Sequence, residues 1–224
     1  ALLLSGLLGF SIGDGFLFIA FQQVGARRTL LIFAANPVLA ALLGWAFLGE
    51  ALSLLQILGT LLALLGIMMV IAGDVRAPEK AVNRVGLLFA ALAALGQAAG
   101  VLLSKMGMQG LDAVPAAQIR LVGGTLGMAI ILSLLRDWRR VPPILRSPHG
   151  HMALAFSVLL GTLVGMVLSM QSLKLIPAAV ASVLFSLMPV MILPLSAFFL
   201  KERVTARETL GALVAVGGVA LLFA

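Results

Sequence analysis

An all-α bundle of membrane-spanning helices is the fold class this sequence predicts, and three observations predict it. Hydrophobic residues make up 62% of the 224, and 24 glycines come on top of them. Charged residues amount to 10%, against about 25% in an average soluble domain, which is too few to cover the surface of a soluble globule. Apolar stretches long enough to cross a bilayer, which takes about 20 residues, follow one another along almost the whole chain. Disorder is excluded as well, because it needs low hydrophobicity and high charge.

Eight spans are predicted, at 1–22, 28–49, 52–73, 84–107, 115–136, 152–173, 177–200 and 204–223. Helices are required because lipid offers no partner to an unpaired backbone group. The alternating segments of about ten residues that mark a membrane barrel are not found. The turns Gly49-Glu50-Ala51 and Lys201-Glu202-Arg203 are tight, so the helices they join are antiparallel neighbours. Residues 74–83 are polar, contain Pro78 and read as a linker. Residues 137–151 carry Trp138, Arg139, Arg140 and Arg146 and read as an interfacial anchor. The pair His149 and His151 in that loop has only Asp137 nearby, so no metal is expected there. The chain has no cysteine, which removes disulfides and thiol chemistry. It is already apolar at Ala1 and starts without Met, which suggests that further helices precede it.

The strongest signal is an internal repeat. Residues 9–72 lie on 161–224 without a gap, with 16 of 64 positions identical. The matches include Gly9/Gly161, Gly13/Gly165, Pro37/Pro189, Glu50/Glu202, Gly59/Gly211 and Gly66/Gly218. Apolar bias does not match Pro, Glu and Gly by accident, so a duplication is expected. Each duplicated unit holds three helices, and two more, 84–107 and 115–136, precede the second unit only. Two five-helix halves follow, the first lacking its opening pair. Residues 1–73 are then the last three helices of the first half, 74–83 the linker and 84–224 the second half. An odd number of helices per half inserts the halves in opposite orientation, as in many secondary transporters.

The doubled pattern resembles the drug/metabolite transporter superfamily, EamA type. The resemblance rests on Phe33-Ala-Ala-Asn-Pro37 with Phe185-Ser-Leu-Met-Pro189, and on Phe47-Leu-Gly-Glu50 with Phe199-Leu-Lys-Glu202. Gly59 and Gly211 follow the two hairpins, and Arg120 matches that family's arginine in the second helix of a repeat. The resemblance implies ten helices in two five-helix repeats, and a carrier of small solutes.

Candidate site residues are the polar groups that the spans must bury. Asp14 lies about 12 Å from the end of its predicted helix. A charge at that depth costs at least ~2.5 kcal/mol, so the carboxylate faces the interior or water. It reads either as a proton-coupling group or ligand for a substrate ammonium, or as a protonated or paired structural acid. Its counterpart in the repeat is Met166. Arg120, roughly 7 Å inside its helix, can hold a substrate carboxylate, bond helix ends or snorkel to the interface. Lys105 reads as a snorkelling residue, and Glu50 and Glu202 as turn glue. Asn36, Gln97, Gln171 and Ser186 are uncharged candidates for a cavity lining. Pro37 and Pro189 read as mid-helix kinks that free the carbonyls of Phe33 and Phe185, and Pro194 as a second break in the 177–200 helix. The Gly-x-x-x-Gly pairs at 9/13, 96/100, 123/127 and 161/165 read as helix contacts.

Net charge is +7. Twelve of the 15 basic residues fall on one side of the predicted topology, Lys105 and Lys174 fall on the other, and Arg120 is within a span. That asymmetry puts the basic side in the cytoplasm of a bacterial-type inner or plasma membrane, with both chain ends outside. It also marks the basic loops as lipid-facing, so nucleic acid is not an expected partner. No nucleotide-binding loop is present, no cofactor is expected, and neither a serine elbow nor paired intramembrane aspartates point to an enzyme. The expected function is a secondary carrier exporting small metabolites, such as amino acids or drug-like compounds, by alternating access. A membrane scaffold or lipid-handling assembly protein is the alternative. Substrate, coupling ion and oligomeric state are open at this level.

Overall fold

The computed structural model describes residues 1–73, 83–136, 148–199 and 204–223. Among them it shows helices and no strand. Helix α1 (Leu2–Val24) carries a π-helical segment, Leu7–Gly13. Helices α2 (Ala26–Phe33) and α3 (Asn36–Leu48) form one interrupted span. They are followed by α4 (Leu54–Gly73), α5 (Arg84–Gly107) and α6 (Ala113–Leu134). Helix α7 runs through Pro148–Ser157, a π-helical segment Val158–Val164, and Gly165–Leu175. Helices α8 (Ala178–Phe185) and α9 (Met188–Phe199) form a second interrupted span, and α10 is Ala206–Leu222. Seven of these spans are long and apolar enough to cross a membrane, and α10, at 17 residues, packs lengthwise on α4. The protein is an integral membrane helix bundle.

The helix ends follow from local chemistry. Asn83 Oδ1 accepts from Val85 N–H at 3.0 Å to start α5. Thr205 and Glu208 close a capping box at α10, and Ser53 with Gln56 does the same before α4. The second span begins at Ala26 rather than 28, with Arg27 and Arg28 in its first turn. Arg27 spends its charge on the end of α4, donating to Ala72 O at 2.8 Å.

The two interrupted spans correct the expected mid-helix kinks. The first breaks at residues 34–35 and the second at 186–187, positions 152 apart. Pro37 therefore lies in the first turn of α3, not in a helix interior, and Pro189 lies correspondingly in the first turn of α9. A first-turn N–H has no intrahelical partner in any case, so proline is cheap there. Pro194, expected to add a second break, sits inside the continuous helix α9.

Glycines at positions 152 apart line a close crossing of α4 and α10. A Cβ on Gly59 would lie 2.7 Å from Gly218 O, and one on Gly211 2.8 Å from Gly66 O. Gly66 meets Ala215 and Gly211, so α4 and α10 run antiparallel, with each glycine facing the counterpart of the other. The pairs 9/13, 96/100 and 123/127 are helix contacts too. Gly96 and Gly100 lie against Gly13 and Gly9, while Gly123 and Gly127 meet Leu3 and Ser11 of α1. The fourth expected contact is absent among the described residues: Gly161 has none of them within 4 Å, and Gly165 meets only Leu160 O of its own helix. The described side chains of residues 151–164 are all exposed, and among the described residues α7 packs on its neighbours mainly toward its C-terminal end. The linker at 74–82, the Trp138/Arg139/Arg140/Arg146 anchor, and Lys201, Glu202 and Arg203 fall outside the described residues.

Candidate functional site

Arg120 is the centre of the buried polar cluster. It lies two turns into α6 and is only 5% exposed, so it does not snorkel. One guanidinium nitrogen donates to Ser104 Oγ of α5 at 2.7 Å. The Arg120 cation lies 4.8 Å above the centre of the Phe10 ring of α1, a cation–π contact that strengthens where water is excluded. A second nitrogen reaches the backbone of Gly9, where an added Cβ would stand 3.1 Å from it and 3.1 Å from Gln97 Oε1. Glycine at position 9 is thus what lets the arginine and the glutamine meet α1. Arg120 Nε is buried with no hydrogen-bond partner among the described residues.

Asp14 follows the π-helical segment of α1 directly and is half-buried. It lies about 15 Å from Val24 at ~1.5 Å per residue, near the middle of the span. Asp14 and Arg120 are electrostatically coupled, although the structure shows no ion pair between them within 4 Å. Ser11, one turn earlier, ties α1 to α6 by donating to Gly124 O at 2.8 Å. Four sequence candidates or their neighbours, Asp14, Gln97, Ser104 and Arg120, therefore collect at the junction of α1, α5 and α6.

The other candidates lie elsewhere. Asn36 stands at the start of α3 beside the first break, 4% exposed, with Oδ1 lacking a hydrogen-bond partner among the described residues. Ser186 lies in the second break and donates to Ser182 O at 2.9 Å. Gln171 is exposed on α7 and joins neither group. Two buried hydroxyls, Thr60 and Ser182, likewise lack a hydrogen-bond partner among the described residues. Thr60 gave no sequence signal, since a threonine in an apolar helix usually bonds its own backbone.

A second polar junction was not foreseen. Gly49, at φ 67°, turns the chain back after α3. Glu50 is thereby aimed away from its own turn. It forms an ion pair with Lys105 at the end of α5. Its other oxygen accepts from Ala178 N–H, the first residue of α8, at 2.8 Å. Lys105 also donates to Ile176 O at 2.6 Å. The lysine is thus held by the bundle instead of snorkelling, and the glutamate joins segments 128 residues apart.

The profile of the EamA-like transporter family matches residues 1–72 and 84–224. The chain belongs to the EamA-like transporter family. A curated relative, the uncharacterized transporter YdfC of Bacillus subtilis (strain 168), is 24% identical over 223 residues, covering 100% of this chain and 71% of that protein. A protein of known crystal structure shares the fold, with a TM-score of 0.77 at 19% identity over 98% of this chain and 74% of the other.

Proposed function

We propose that this EamA-like transporter is a secondary carrier that exports small metabolites, such as amino acids or drug-like compounds, by alternating access. Its site is a bacterial-type inner or plasma membrane. The observation that carries the reading is the polar cluster of Arg120, Gln97 and Ser104 inside the bundle, with half-buried Asp14 near the middle of α1. A bundle that served only as a scaffold has no need of an arginine and an acid within its spans, where charge is costly. The paired breaks at 34–35 and 186–187 support inverted halves that rock about them, as does the reciprocal packing of Gly59, Gly66, Gly211 and Gly218. Asp14 serves as the coupling carboxylate, and Arg120 orients an anionic group of the solute or the acid itself.

Flux in proteoliposomes tests this. Labelled amino acids and cationic dyes are followed under an imposed pH gradient, with wild type against Asp14→Asn. Proton-driven flux that falls more than tenfold in the variant supports the carrier and its coupling acid. Undiminished flux in Asp14→Asn removes the role of Asp14, and folded protein with no flux across the panel favours the scaffold.

A further inference from the structure

The polar junction at the charge-poor end of the bundle links three stretches distant in sequence: the α3–α4 turn, the end of α5 and the start of α8. Its chemistry differs from the apolar packing around it. Glu50 and Lys105 are 18% and 20% exposed, so both charges are largely withdrawn from water while staying within its reach. The glutamate engages the free N–H at the positive end of α8 and the lysine engages Ile176 O. Gly44 leaves the space: a Cβ there would stand 3.2 Å from the Glu50 carboxylate and 3.8 Å from Ala178 Cβ. Just inside the junction the helices meet through small residues, Ala40, Ala178 and Ala181, all at 2% exposure or less. A second pair, Lys174 with Asp112 at 3.0 Å, bridges the same end on the surface.

We propose that the Glu50–Lys105 contact is a gate latch, which holds the charge-poor end closed by pinning the α3–α4 turn to the start of α8 and releases when the carrier opens that end. The proposal rests on the carrier reading above. A polar contact at the edge of water suits the role. Both ions are rehydrated when it parts, so opening costs little net energy, whereas an apolar seal of similar size exposes its surface to water.

The absence of cysteine makes single-cysteine reporters direct. Ala181→Cys lies fully buried, one turn inside the latch, and Asp112→Cys is an exposed control at the same end. Labelling by a membrane-impermeant maleimide from that end is compared in the parent, Glu50→Gln and Lys105→Gln backgrounds. Glutamine at 50 keeps an acceptor for Ala178 N–H, so the helix start survives while the ion pair is lost. The expected result is at least a tenfold faster reaction at position 181 in both backgrounds, with the control unchanged. Equal rates at 181 overturn the latch. In a second arm, Glu50→Cys with Lys105→Cys is bridged by a reducible bifunctional thiol reagent. Flux below one tenth, restored on reduction, supports the latch. Full flux through bridged protein overturns it while leaving the carrier intact. Absence of flux in wild type overturns the carrier reading instead, and the labelling rates then decide the latch alone.

Discussion

Arg120 shows what a single side chain does in this interior. It donates to Ser104, faces the Phe10 ring and crowds Gly9, so it ties three helices together while keeping one nitrogen unpartnered among the described residues. Lysine carries the same charge on a point and lacks the planar fork. Arg120→Lys is therefore expected to lose the Ser104 bond or the ring contact, at about 1.5 kcal/mol for a hydrogen bond from a charged group. A double-mutant cycle with Ser104→Ala, read by unfolding in micelles, should return a coupling of that size. Coupling near zero would mean that the guanidinium is held by packing alone. Legibility from sequence was uneven at this scale. Asp14 and Arg120 stood out because charge in an apolar span is expensive wherever it lies. The tie between Glu50 and Lys105 did not, because both residues sit at helix ends where solvation is the cheap outcome.

At the scale of helices, glycine placement decides which faces touch. Gly217 and Gly218 are adjacent on α10, yet a Cβ at 217 meets open space and one at 218 lands on the backbone of Ala63. Gly218→Leu is expected to destabilise the protein by at least about 3 kcal/mol, the upper range for overpacking, and Gly217→Leu to be tolerated. Thermal unfolding of the two variants in the same detergent compares them, and equal losses would deny the α4–α10 crossing. Gly161→Leu is likewise expected to be neutral in this chain, against a severe loss for Gly9→Leu. The sequence pattern alone treated all four Gly-x-x-x-Gly pairs alike. Only the neighbours distinguish them, since a small residue permits a close approach without supplying the partner. The prolines teach the same lesson. Their type announced an interruption, but two residues of turn placed Pro37 and Pro189 in first turns, where they fit the backbone, and Pro194 interrupts nothing.

Across the whole molecule, charge is sorted by end. The charge-poor end holds Glu50, Lys105, Asp112 and Lys174, bound to each other in pairs. The opposite end carries Arg27, Arg28, Arg84, Arg136 and Arg207 among its described residues. If the basic end is cytoplasmic, Asp112→Cys reacts with an impermeant maleimide in intact cells and a cysteine at Arg84 reacts only after permeabilisation. The reverse pattern would invert the topology. The sequence by itself determined the membrane, the helical class and the family, because each follows from composition or from spacing along the chain, and the bilayer leaves the backbone no other choice. It also determined which charges are costly. The tertiary structure alone decided that α4 and α10 cross antiparallel through their shared glycines, that Arg120 turns inward between α1 and α5, and that Glu50 reaches the start of α8. Those outcomes depend on which helix faces come within a few ångströms of each other, and side-chain contact at that range is a property of packing that no one-dimensional pattern records.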